Sequence, residues 1–194
     1  MLTLKLLVLT IVAFLPEQAF VVVHNREGGL TEAEKQQMLD RHNLKRSSVS
    51  PSAASMTRLI WDDRLAAGAQ TWAEGCKLAH RIGNYGENLY VSTNPPEPTD
   101  AVDGWDEEKK WYDLSSNSCN DGEMCGHYTQ VVWATTRQVG CGINMCTNGA
   151  IFGTWYYIVC RYWPQGNWMG TKPYIAGPSC SKCKTGACKN NLCG

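Results

Sequence analysis

Ten cysteines constrain this chain more than any other feature: positions 76, 119, 125, 141, 146, 160, 180, 183, 188 and 193, an even count with none before residue 76. What they can do depends on the compartment, and the N-terminus speaks to that. MLTLKLLVLTIVAFLP carries one lysine and then an apolar run too short for a membrane span, closed by Pro16 with Ala19 as the cleavage point. Residues 1–19 therefore read as a secretory signal peptide, with an uncut anchor as the other reading. No later segment approaches the roughly 18 consecutive apolar residues of a spanning helix. The expectation is a secreted, extracellular protein with no transmembrane segment once the signal is removed. Cysteines in that oxidising setting form disulfides. The last four, in CSKCKTGACKNNLC, also have the spacing of a four-thiolate zinc knot, a reading the compartment disfavours. Residue spacing leaves the connectivity open.

The 194 residues suit one domain with a substantial core. Lysine plus arginine and aspartate plus glutamate both number 18, and the signal removes Lys5 and Glu17 together. A neutral protein lacks the field that nucleic acid or an anionic membrane would need, so neither is an expected partner. There is no Asn-x-Ser/Thr glycosylation acceptor and no internal repeat.

Thr31 and Glu34 have capping-box spacing, and the helix they open places Met38, Leu39, His42 and Val49 on one stripe. Asp62 caps a second helix with Leu65, Ala69, Trp72, Cys76 and Ala79 on one face, which predicts a buried Cys76. GENLY opens a short strand that the proline pair at 95–96 ends. A third helix from about Thr99 sets Trp105, Glu108 and Tyr112 on one face, with Asp106 and Glu107 pointing elsewhere. A fourth, from Gly126, aligns His127 with Val131 and Ala134. The period then becomes two through Val139, Cys141, Ile143 and Met145. Ile151 to Arg161 forms a second strand, and Asn148-Gly149 is the expected hairpin turn. The order predicts an α+β fold with a sheet covered by helices. From Pro164 a loop leads to a small cysteine-knotted tail.

No His-Glu-x-x-His, Gly-x-Ser-x-Gly or phosphate-binding glycine loop is present. What remains is a set of ionisable groups in apolar phases: His42, Glu87, Glu108 and His127. A carboxylate on an aromatic face must be paired, because an isolated buried charge is costly. Two imidazoles and two carboxylates could satisfy one another in a cleft or hold a divalent ion, or each could be satisfied separately. His80 reads as a structural residue at the end of the second helix.

Four ordered blocks carry a family resemblance: HNLKR at 42–46, GENLY at 86–90, GHYTQVVWATT at 126–136 and YIVCRYWPQGNW at 157–168. The chain resembles the superfamily of cysteine-rich secretory proteins, antigen 5 and pathogenesis-related 1 proteins (CAP), closest to its peptidase inhibitor 16 and glioma pathogenesis-related branch. The resemblance implies a three-layer α-β-α sandwich over residues 30–168 with a hinge-like cysteine-rich tail at 178–194. It implies a cleft of His42, Glu87, Glu108 and His127 able to hold Zn2+ or another divalent ion weakly, less so as pH falls through roughly 6.5. It pairs Cys76 with Cys146, Cys141 with Cys160, Cys119 with Cys125, Cys180 with Cys188 and Cys183 with Cys193. A two-residue turn at Asn148-Gly149 would instead set Tyr156 opposite Cys141, so the pairing requires a longer loop. Trp163 stands where many relatives have a further cysteine. With the chain ending at Gly194, no channel-regulating domain or anchored stalk is expected. The implied function is a non-enzymatic extracellular module that binds a protein or a lipid. The alternatives are a metal- or histidine-dependent protease, and a sterol- or lipid-binding protein using a loop around Trp111 and Tyr112, aromatics that otherwise read as core.

Overall fold

The computed structural model describes residues 28–149, 153–184 and 186–194, so the signal peptide expected at 1–19 lies outside the described residues. Among them, no helix is long and apolar enough to cross a membrane. Helix α1 spans Glu32–Ser47 and begins with the expected capping box. Thr31 Oγ1 accepts from the Glu34 amide at 3.3 Å, and the Thr31 amide donates to Glu34 Oε2 at 2.8 Å. The helix buries Met38, His42, Asn43 and Arg46, so most of its inward face is polar. Two of those side chains, Asn43 and Arg46, serve backbone groups of the segments packed around α1. Asn43 exchanges bonds of 3.0 and 2.8 Å with the Leu59 carbonyl and amide. The Arg46 guanidinium, 1% exposed, donates to the carbonyls of Thr57, Val131, Trp133 and Thr136 at 2.6–3.1 Å. The HNLKR block is thus a clamp on the loops around α1.

Strand β1 (Ile60–Trp61) leads into α2 (Asp63–Glu74), capped by Asp62 Oδ1 on the Arg64 and Leu65 amides at 2.9 and 3.0 Å. The central sheet runs β1-β5-β6-β2, with β2 at Gly86–Ser92, β5 at Gln138–Gly149 and β6 at Gly153–Trp163. Only β1–β5 is parallel. Alternation divides the strands between two cores. Val139, Cys141, Ile143, Ile158, Cys160 and Tyr162 face a core shared with α1, α3 (Pro98–Glu107) and α4 (Gly126–Val131). Trp155, Tyr157 and Val159 face Ala69 and Ala73 of α2. This is the three-layer α-β-α arrangement.

The α2 layer sits close because β5 offers glycine there. A Cβ on Gly140 would lie 2.3 Å from the Ala66 amide nitrogen, and one on Gly142 2.4 Å from Gln70 Cα. Gln70 then uses its amide on the open β5 edge, with both bonds to Ile143 at 3.0 Å.

Several expected boundaries move. Helix α2 ends at Glu74, so Cys76 lies beyond it, half-buried with φ +48°, and His80 is at no helix end. After α3 the chain tightens into a 3-10 turn over Glu108–Trp111, and Tyr112 opens a small hairpin of β3 (Tyr112–Asp113) and β4 (Ser118–Cys119). Asp106 does leave the aromatic face, yet it is 4% exposed and receives Lys45 and Lys109 at 3.1 and 2.8 Å. Helix α4 stops at Val131, short of Ala134.

The hairpin turn is also corrected. Cys141 pairs with Cys160 and Gly149 with Gly153, so β5 runs through Asn148-Gly149 and the connection falls at 150–152, outside the described residues. Moving the register from Tyr156 to Cys160 keeps every side chain on its face, so alternation could not separate the two. The Cys141–Cys160 disulfide does, with Cα atoms 4.0 Å apart. The other bonds are Cys76–Cys146, Cys119–Cys125, Cys180–Cys188 and Cys183–Cys193, the pairs the resemblance implied. The tail hairpin of β7 (Cys188–Lys189) and β8 (Leu192–Cys193) is docked rather than appended. Leu192 is 1% exposed in the main core, and Cys193 trades backbone bonds with Met56 and Arg58 at 2.7 and 2.9 Å.

Candidate functional site

Two histidine–glutamate pairs form at the end of the sheet where β2 meets α4. Glu108 lies at the start of the 3-10 turn and reaches the first turn of α4. Its Oε2 accepts from the His127 and Tyr128 amides at 3.0 and 3.1 Å, and its Oε1 from His127 Nδ1 at 2.6 Å. The Cys119–Cys125 loop ends one residue before α4 and sets that turn in place. The His127 ring stacks on Trp105, centroids 6.2 Å apart and planes at 19°. A carboxylate can only accept, so the Glu108 contact fixes a proton on His127 Nδ1 and turns Nε2 away from Glu108.

Glu87 makes the second pair, with His80. The segment from Arg81 to Gly86 folds back, and Glu87 Oε1 accepts from His80 Nδ1 at 3.2 Å and the Arg81 amide at 3.0 Å. Its Oε2 meets Arg161 Nε at 3.2 Å, and the guanidinium lies over the Tyr85 ring, 4.4 Å from its centroid. Glu87 has a 4% exposed side chain, whereas His80 is 60% exposed. The pairs adjoin through β2, because Asn88, next to Glu87, donates its amide to the His127 carbonyl at 3.0 Å.

The expectation that His42 belongs with these groups is corrected. His42 is fully buried, and both ring nitrogens are taken: Nδ1–H donates to the Met38 carbonyl at 2.7 Å, and Nε2 accepts from the Tyr162 hydroxyl at 2.9 Å. Tyr162 in turn accepts from the Asn88 amide at 3.3 Å, so a polar chain runs from α1 through β6 and β2 to α4. Desolvation pushes the His42 pKa from 6.5 down to about 4; the Met38 bond opposes the shift and the Arg46 charge adds to it. With no free nitrogen and no access to solvent, His42 is no metal ligand. Its imidazole contributes from behind the site, packed 6.2 Å from the other neighbour of His127, Trp105.

The four predicted residues are therefore not one cluster. Among the described residues, the sole trio of His, Cys, Asp or Glu donors within 4.8 Å of one another is Cys180, Cys183 and Cys193, all bonded in disulfides. Sequence reasoning missed His80 because its phase was referred to a helix that ends earlier. The signal present was the Gly-Asn-Tyr-Gly turn at 83–86, which folds a histidine back on Glu87. Arg161 and Tyr162 were hidden inside an apolar strand. At the expected lipid loop, Tyr112 packs on the core with its hydroxyl on Asn117 Oδ1 at 2.7 Å, and burial pushes its pKa up to about 12. Trp111 is half-buried, with the Lys110 ammonium 5.1 Å from its ring centroid.

Comparison with known proteins bears on this geometry. Residues 39–162 match the family model of the cysteine-rich secretory protein (CAP) family. Peptidase inhibitor 16 of Mus musculus is 44% identical over 170 residues, covering 84% of this chain and 34% of that protein. GLIPR1-like protein 1 of Mus musculus is 42% identical over 167 residues, covering 80% of this chain and 70% of that protein. The chain spans about a third of the length of the peptidase inhibitor 16 relatives, 34–37%. Among solved structures, NaASP2 with Zn2+ superposes at a TM-score of 0.71 with 28% identity, covering 87% of this chain and 98% of that one.

Proposed function

This chain belongs to the cysteine-rich secretory protein (CAP) family, and from that premise we propose that it is a non-enzymatic extracellular binding module. Its paired histidines would accept a weakly held divalent cation, and its partner would be an extracellular protein or a lipid, not nucleic acid. The observation that carries this reading is the state of the two carboxylates. Glu108 spends both oxygens on His127 and on two helix amides, and Glu87 is held by His80, Arg81 and Arg161. A glutamate acting as the general base of hydrolysis needs an oxygen free to take a proton from water. Neither has one, and every described cysteine is bonded. That supports binding over a glutamate- or thiol-based protease.

The donor set suits a cation in a limited way. Each glutamate holds an imidazole by Nδ1 and leaves Nε2 free, the role of an outer carboxylate behind a metal-binding histidine. The ligands offered are thus Nε2 of His80 and Nε2 of His127, with Glu87 and Glu108 orienting rather than ligating. Two imidazoles leave most of the coordination to water, hence weak affinity. The similar NaASP2 structure with Zn2+ supports the choice of ion. Zinc titration by calorimetry tests this: His80→Ala and His127→Ala each lose most of the heat, while the unmutated protein gives a weak, saturable isotherm. Full zinc binding in the His80→Ala, His127→Ala double variant would sink the assignment. Cleavage of an unbiased peptide library, abolished by Glu87→Ala, would sink the non-enzymatic reading.

A further inference from the structure

A cavity of about 570 Å³ opens among the end of α1, the 3-10 turn and the β3–β4 hairpin, lined by neither histidine–glutamate pair. Its inner wall is aromatic. Tyr112 and Tyr128 stand with centroids 6.0 Å apart, and Tyr174, hydrogen-bonded to Tyr128, completes the wall. Burial keeps all three hydroxyls protonated, so this wall carries no charge. Ile175, 62% exposed, forms part of the lip.

The charged groups around it are unevenly satisfied. Lys45 is spent between Asp103 and Asp106 at 2.8 and 3.1 Å. Lys109 gives one contact to Asp106 at 2.8 Å, and Lys172 gives one to the Ser115 carbonyl at 2.9 Å. An ammonium has three donors, so both keep donors in reserve. Of the lining acids, Asp106 is held by two lysines, and Asp113 is turned into its own loop by Ser115 and Ser116 at 2.7–3.0 Å. An incoming ligand meets spare ammonium donors; Asp106 is neutralised by its lysines, while exposed Asp113, held by serines, keeps its negative charge. The volume also falls in the roughly 300–1,000 Å³ range of small-molecule sites.

We infer that this cavity binds a small organic anion with a flat apolar body, its ring against the three tyrosines and its carboxylate or sulfonate on Lys109 and Lys172. A neutral sterol could use the aromatic wall, but it would strip water from two ammonium groups and return no partner. The site is separate from the histidine–glutamate pairs and stands or falls independently of them.

Naphthalene-2-carboxylate and its neutral carboxamide serve as probes, titrated by calorimetry at low ionic strength. The carboxylate should saturate at one site and bind about tenfold more tightly than the carboxamide, the gain expected of charge-assisted bonds. A Lys109→Ala, Lys172→Ala variant should lose about that factor, and Asp106 keeps Lys45, so the fold is retained. Ile175→Asp at the exposed lip should abolish binding, and His80→Ala should leave it unchanged. Equal affinity for the two probes, no saturation, or indifference to both the lysine and the Ile175 changes overturns the inference. Saturable cholesterol binding that ignores the lysines would overturn the ligand class.

Discussion

Acid should unfold this protein partly through one buried imidazole. His42 is 0% exposed and bonded at both nitrogens, and its pKa falls from 6.5 to about 4, chiefly through desolvation. In the unfolded chain the ring titrates normally, so between those values the unfolded state binds the extra proton. The stabilising contribution is complete above about pH 6.5 and drains as pH falls toward 4. A shift of that size at about 1.4 kcal/mol per unit is roughly 3 kcal/mol, with no discount for solvent screening at a fully buried site. That is a large share of the ~5–15 kcal/mol of a typical domain. Urea denaturation at several pH values between 7 and 4, on the parent and His42→Gln, isolates it, because other titrating groups cancel in the difference. The parent should lose about 3 kcal/mol more than the variant over that span. NMR of the parent gives a second readout, with the His42 ring staying neutral down to about pH 4.5. Parallel pH slopes, or a ring that titrates near its ordinary value, would refute the account of His42 as a buried neutral link.

Replacing Arg46 by Leu leaves the carbonyls of Thr57, Val131 and Thr136 without their donor, and that of Trp133 with the Thr136 amide alone. At about 1–3 kcal/mol per buried unpaired group, a loss above roughly 3 kcal/mol is expected in chemical denaturation, and Lys should not rescue it for want of a planar fork. Gly140→Ala and Gly142→Ala each drive a methyl into the α2 backbone at 2.3–2.4 Å. Each should lower Tm by several degrees, consistent with about 1–3 kcal/mol of overpacking, while Gly126→Ala, whose methyl would lie 3.9 Å from its nearest neighbour, Asn167 Nδ2, should cost far less. Removing Cys76–Cys146, which closes a 70-residue separation, should destabilise by about 4 kcal/mol against about 2 for Cys119–Cys125 with its separation of 6. Equal losses in thermal melts would count against a loop-entropy origin.

Much of this protein was legible before any coordinates. Local signals act over a few residues, so the Thr31–Glu34 box, the Asp62 cap and the alternation of β5 and β6 could be read directly. The family blocks then implied the layers and the cysteine pairs. Tertiary structure decided what depends on which distant group arrives. His42 had the right phase for a shared site, but Met38 and Tyr162 take its nitrogens. Glu87 found His80, across a turn that the helical reading had not allowed for, and Arg161 from an apolar strand. The hairpin register was decided by a covalent bond, since a shift that preserves every face leaves periodicity with nothing to detect. Sequence specifies which side chains turn inward; only packing decides which of them meet, because each buried polar atom takes the partner that reaches it.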